Sequence, residues 1–177
     1  MRSPALIAGF MLLSALPGHA QDSAAAAGTF IDASGTELGS VTLTQGDGAV
    51  SVIGDVMGIA PGEHGFHFHQ TGDCDSSTAF ESAGAHFNPN GHQHGLENPQ
   101  GPHAGDLLNI TASDQGMAMI DVSTDTMSLW QDDPAYIFDA DGTALVIHAA
   151  PDDQSSDPSG NSGDRIACAV IEAAPAQ

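Results

Sequence analysis

The chain has 177 residues and carries 23 Asp and Glu against two Lys and Arg, a formal charge of −21. A field of that sign argues against nucleic acid and anionic membrane surfaces as partners. The length suits a single domain with its own core, and two cysteines are too few to build a cysteine metal site.

The first twenty residues read as an export signal. Arg2 gives a positive start, residues 5–16 an apolar core, and Gly18-His19-Ala20 a small-residue cleavage site. The apolar run is shorter than the roughly 20 residues that span a bilayer. The expected organisation is therefore a signal peptide over 1–20 and one domain over 21–177, placed in the periplasm or outside the cell. Cys74 and Cys168 then face an oxidising compartment, where a disulfide is the expected state. After cleavage Arg165 is the only basic side chain, and there is no lysine.

An Ala-rich stretch over 24–27 is expected to be loose. Beyond it, Val41 and Leu43 alternate with Thr42 and Thr44, a turn is expected over 45–48, and Val50 and Val52 resume the alternation. Further β-like runs cover 107–110, 117–122, 144–148 and 165–171, with turns over 32–35, 113–116 and 139–142. No stretch after residue 20 has a helical period with caps. With 21 glycines, the pattern predicts an all-β sandwich or barrel of about eight strands. Two segments, 71–104 and 151–163, are rich in Gly, Asn, Pro and Ser and too long for plain connections, which marks them as functional loops.

The histidines carry the chemistry. His67 and His69 stand at i and i+2 of a strand, so they share one face about 6.5–7 Å apart at the backbone, while Phe66 and Phe68 turn the other way into apolar packing. A lone His-X-His is a weak signal, but His86, His94, His103 and His148 accompany this one. His94, His103 and Asp106 with one more nitrogen make a tetrahedral zinc shell. His67, His69 and His148 with one more nitrogen make the tetragonal set that Cu(II) prefers. One residue, His86, could supply both missing nitrogens.

Five blocks in order then resemble a secreted bacterial copper/zinc superoxide dismutase. They are Gly65-Phe66-His67-Phe68-His69, Ser82-Ala83-Gly84-Ala85-His86-Phe87-Asn88-Pro89, His103-Ala104-Gly105-Asp106-Leu107, Leu145-Val146-Ile147-His148, and Gly160-Asn161-Ser162-Gly163-Asp164-Arg165-Ile166-Ala167-Cys168. The resemblance implies a flattened eight-stranded Greek-key β-barrel, an immunoglobulin-like sandwich with two long functional loops. It implies copper on His67, His69, His86 and His148, and zinc on His86, His94, His103 and Asp106, with His86 bridging. It pairs Cys74 with Cys168, and makes Asp152 a carboxylate linking a copper histidine to a zinc histidine. It makes His64 structural and leaves His92 a solvated loop residue.

The implied activity is disproportionation of two superoxide anions to oxygen and hydrogen peroxide, with Arg165 docking the anion and His86 carrying a proton. The chain departs from the family in having no lysine to draw superoxide in, and in placing Asp164 beside Arg165, where strand alternation should turn it away. Two other classes compete. A copper- or zinc-buffering protein would need no anion dock such as Arg165. A zinc hydrolase would need an open zinc position and a general base, and none is evident near His94 and His103. The sequence leaves open whether the protein is a monomer or a homodimer.

Overall fold

In a computed structural model, residues 24–46 and 48–174 are described, and they form nine strands with two short 3-10 turns and no α-helix. The signal expected over 1–20 lies outside these residues, as does Asp47 of the expected 45–48 turn. There, the Gly46 amide donates to the Ala49 carbonyl at 2.9 Å and closes the connection.

The strands are β1 (Ala25–Ile31), β2 (Glu37–Gln45), β3 (Val50–Met57), β4 (Gly62–His64), β5 (Phe66–His69), β6 (Ile110–Ala112), β7 (Met117–Thr124), β8 (Thr143–His148) and β9 (Arg165–Ala173). They join in one sheet in the order β4-β6-β7-β3-β2-β1-β9-β8-β5, with every pairing antiparallel. The two edge strands, β4 and β5, are separated in sequence only by Gly65. The sheet therefore closes on itself through one interrupted strand, and counting that strand once restores the expected eight. Closure removes the exposed edges that an open sheet would leave. At the break Gly65 still bonds across to the next loop, its amide donating to Ala150 and its carbonyl accepting from His148, each at 2.9 Å. A Cβ at this position would sit 2.6 Å from Cβ of Ser162, so only glycine lets the loop come this near.

Alternation sorts each strand into two faces. Phe30, Leu43, Val52, Phe66, Phe68, Ile120, Leu145 and Ile147 fill the barrel and are fully buried or nearly so. β8 is buried at all six positions, which one apolar face does not explain. Its other face, Ala144 and Val146, packs with Phe80, Ala83 and Cys168 in a second cluster beneath the 71–104 loop. Ala144 and Val146 pair with His69 and His67. The two histidines thus lie on the barrel's outer face, under a loop that roofs them.

Two sequence expectations fail. Residues 25–27 are not loose: β1 begins at Ala25, with Ala26 fully buried and paired to both Leu43 and Ala173. Alanine's weak strand preference is overridden by two flanking strands. The run at 107–110 is strand only from Ile110, because Asp106 and Asn109 are engaged by the centre described below.

Candidate metal centre

Residues 85–87 and 104–106 are drawn alongside β5 by backbone bonds. The Gln70 amide donates to Ala85 at 2.9 Å, Phe87 to Phe68 at 2.8 Å, Phe68 to Gly105 at 2.9 Å, and Gly105 to Phe87 at 2.8 Å. This sets His86 opposite His69 and Asp106 opposite His67 as isolated bridges. β8 delivers His148 to the same outer face.

Two buried groups result, each with donor atoms within 4.8 Å of one another: His67, His69, His86 and His148, and His86, His94, His103 and Asp106. His86 belongs to both. In the second group, Oδ1 of Asp106 lies 2.9, 3.0 and 3.3 Å from the Nδ1 atoms of His86, His94 and His103. Its Oδ2 is held outside by the amides of Gly95 at 2.8 Å and His103 at 2.9 Å. In the first group, Nδ1 of His69 is spent on the Gly84 carbonyl at 2.9 Å and Nδ1 of His148 on the Gly163 carbonyl at 3.1 Å. Their Nε2 atoms are left facing each other at 3.4 Å.

His67 Nδ1 is buried without any hydrogen-bond partner. A buried polar atom normally finds one, and a metal ion is the group that would satisfy it here. The nitrogen set suits copper, and the nitrogen and carboxylate set suits zinc. The residues present fit both ions.

Asp152 lies behind the centre. Its Oδ2 is 2.6 Å from Nε2 of His67, and its Oδ1 is 3.0 Å from Nε2 of His94, so one carboxylate spans both groups. Asn109 holds Asp152 in place, accepting from its amide at 2.8 Å and donating to its carbonyl at 2.9 Å. Gly160, at φ +60°, passes so close that a Cβ would collide with the Asp152 carboxylate.

Electrostatics follow from this packing. Burial pushes His148 down to about 3 and His86 down to about 4, so both are neutral and able to ligate at neutral pH. Burial also lowers His67 and His69. Burial would raise Asp106, yet bonds from His103, His86 and His94 hold it well below the usual carboxylate range; His67 and His94 do the same for Asp152. His94 resists its own burial and is pushed up to about 9 by those two carboxylates.

Arg165 starts β9 and points toward the first group. It donates to the carbonyls of Phe80 at 2.6 Å and Gly84 at 2.7 Å. An open cavity of about 730 Å³ is lined by Arg165 with His69, His86 and His148, while Asp32, Glu81 and Asp164 also reach it. The carboxylate that pairs with Arg165 is Glu81, at 3.8 Å from Nη2. The disulfide joins Cys74 to Cys168 and ties the roofing loop to β9.

Every expected site residue is thus brought together. His64 stays apart, its ring nitrogens 2.7 and 2.8 Å from the carbonyls of His148 and Ala60, and exposed His92 sits 3.0 Å from the Pro102 carbonyl. Glu81, Asn109, and the carbonyls of Phe80 and Gly84 escaped sequence reading. An acceptor carbonyl has no side-chain signature. Glu81 and Asn109 act through neighbours remote in sequence.

The family model for copper/zinc superoxide dismutase matches residues 37–171. Copper/zinc superoxide dismutase 2 of Aquifex aeolicus is 42% identical over 94% of this chain and 96% of its own length. The chain belongs to the copper/zinc superoxide dismutase family. The copper/zinc superoxide dismutase of Caulobacter vibrioides is 40% identical over 78% of this chain and 80% of its own. Among solved structures, a SOD-like protein from Bacillus subtilis superposes with a TM-score of 0.77 at 34% identity, covering 81% of this chain and 95% of that one. Copper and zinc are the metals of this family, and the two histidine groups are where this member can hold them.

Proposed function

We propose that this member of the family disproportionates superoxide to oxygen and hydrogen peroxide. Copper would be held by His67, His69, His86 and His148, and zinc by His86, His94, His103 and Asp106. When bound, copper would supply reversible one-electron chemistry and zinc a fixed positive charge.

The observation that carries the reading is the shared cavity: the cationic fork of Arg165 and three histidines of the first group line one opening, while His94, His103 and Asp106 of the second group are buried outside its lining. Arg165 receives the anion by charge and hydrogen bonding, with its orientation set by two carbonyls. His86 holds a proton on Nε2 in one half of the cycle and passes it to the departing peroxide in the other; solvent at the open mouth delivers the second proton. His67 and His94 are kept at fixed orientation by Asp152.

Superoxide is the small-molecule partner, and the acidic surface argues against nucleic acid and anionic membranes. No helix among the described residues is long and apolar enough to cross a membrane. The Cys74–Cys168 disulfide supports export to an oxidising compartment, the periplasm or beyond, through cleavage near Ala20. Either a monomer or a homodimer accommodates this site, since both metal groups come from one chain.

The deciding experiment is superoxide disproportionation by the copper- and zinc-reconstituted mature chain. Fast, copper-dependent turnover is expected. Full metal loading with negligible turnover would overturn the reading in favour of a metal-buffering protein.

A further inference from the structure

Four methionines fall within the described residues, and three of them gather on one patch of the barrel's exterior. Met57 ends β3, and Met117 and Met119 open β7. Met57 lies directly across from Met117, and Asp55 directly across from Met119. The side chains of Met57, Met117 and Met119 are 56%, 41% and 66% exposed, so all three point outward, whereas Met127 is buried. The neighbouring outward positions are mostly those of a solvated sheet, Ser40, Thr42 and Thr44 on β2 and Asp121 and Ser123 on β7, with 48% exposed Ile53 on β3 as an apolar exception. Three outward thioethers depart from that pattern.

We propose that Met57, Met117 and Met119 form a binding site for monovalent copper, separate from the histidine centre. Directly opposed residues in an antiparallel pair hold their Cβ atoms about 4.5–5.5 Å apart, and i, i+2 neighbours on one strand lie about 6.5–7 Å apart. Methionine adds three rotatable bonds and ends near a polarizable sulfur, which spans such gaps by rotation alone. Soft thioethers select Cu(I) over the harder divalent ions. They carry no proton to lose, so the site keeps its affinity in acid, where imidazoles protonate. Asp55 stands on the same face, and Asp121 joins Met117 and Met119 in lining one shallow groove, so carboxylates add a field favouring a cation.

The competing explanation for exposed methionines is an apolar contact with a second copy. Asp55, Asp121 and a net charge of −21 oppose that pairing. The proposal does not rest on the superoxide activity, because the patch shares no residue with the histidine centre.

The test uses the mature protein labelled with 13C at its methionine methyl groups, loaded with copper and zinc and kept reduced. Silver(I), a redox-inert thiophilic probe, is titrated into it. One equivalent should move the Met57, Met117 and Met119 methyl signals together while Met127 stays still. Met119→Leu should then weaken silver(I) binding at least tenfold and leave the metal content of the histidine centre unchanged. Cu(I) competition against a chromogenic chelator should give one copper per chain beyond that centre, and lose it in the variant. Leucine conserves volume at an exposed position, so the variant is expected to fold. If it did not, the titration of the unaltered protein would still decide. Methyl signals that move at separate midpoints, silver that disturbs only the histidine centre, or sedimentation showing a dimer that shields the three methyls would each overturn the site.

Discussion

Arg165 and His69 meet on one acceptor: the carbonyl oxygen of Gly84 takes a bond from Arg165 Nη2 at 2.7 Å and lies 2.9 Å from Nδ1 of His69. A single peptide of the roofing loop thus sets the distance between the proposed anion dock and a proposed copper ligand. Only a planar guanidinium can fork across Phe80 and Gly84 and still face the cavity. Hydrogen bonds to charged groups are worth about 1.5–3 kcal/mol, or roughly 10- to 100-fold in rate. Arg165→Ala should lower kcat/KM by about that factor with copper and zinc content intact. Unchanged turnover would remove Arg165 from the role.

Glu81 opposes the same guanidinium. Its carboxylate is 3.8 Å from Nη2 and three-quarters exposed, and Asp32 and Asp164 share the cavity lining. Asp164 reaches the rim but does not form the ion pair. Superoxide therefore approaches through a negative rim toward the one basic side chain lining the cavity, and added salt screens that rim over about 8 Å at physiological strength. Activity should rise with ionic strength, or fall only weakly. Glu81→Gln should raise the low-salt rate a few-fold and flatten the salt profile. A steep fall with salt in the unaltered protein would mean that the local charge of Arg165 governs capture.

Much of this centre was legible before any coordinates, for identifiable reasons. The period of two places His67 and His69 on one face whatever the tertiary setting, and Phe66 and Phe68 on the other. Donor chemistry sorts the histidines beyond β5 into a zinc-like and a copper-like set sharing His86, and the family resemblance implies that these separate segments meet in space. What stayed hidden depends on partners distant in sequence. β1 looked loose because its alanines have little strand preference of their own. The strand at 107–110 was misplaced because Leu107 and Leu108 look like strand residues, while Asp106 and Asn109 on either side are committed to the centre. Closure through Gly65 shows only in the sheet order.

Asp152 links the two metal groups through His67 and His94. Removal of such outer partners typically costs 10- to 100-fold in metal affinity or activity. Asp152→Asn should weaken zinc retention by about that factor, read by chelator competition, with copper affinity falling less. Equal zinc affinity in the variant would show that His94 is oriented without it.

The disulfide has a thermodynamic and a functional consequence. Cys74 and Cys168 are 94 residues apart, and cross-linking so long a loop contributes up to about 4–5 kcal/mol in the chain-entropy model. It also tethers the loop that carries Phe80 and Gly84, the two acceptors of Arg165. A Cys74→Ser, Cys168→Ser variant should unfold at markedly lower denaturant and lose activity before it loses its fold. Full activity in the folded variant would show that Phe80 packing alone fixes the loop.

The metal-free protein should be most stable close to neutral pH, and the sign follows from five groups. His86 and His148 titrate near 4 and 3 when folded, against 6.5 in the unfolded chain, because burial disfavours their charged forms. Above 6.5 they are neutral in both states. As pH falls from 6.5 toward 3 the unfolded chain takes protons the folded one refuses, and stability drains. The depressed carboxyls of Asp106 and Asp152 act in the same direction below their ordinary 3.8. His94 has the opposite sign: raised to about 9, it contributes fully below 6.5 and loses that contribution as pH rises through 9. Thermal unfolding of the metal-free protein between pH 4 and 10 should therefore give a Tm that falls on both sides of about pH 6–7. Bound metal holds these imidazoles deprotonated, so reconstitution should move the acid limb to lower pH. A metal-free Tm that kept rising from pH 6 down to 4 would mean that His86 and His148 are not buried as neutral imidazoles.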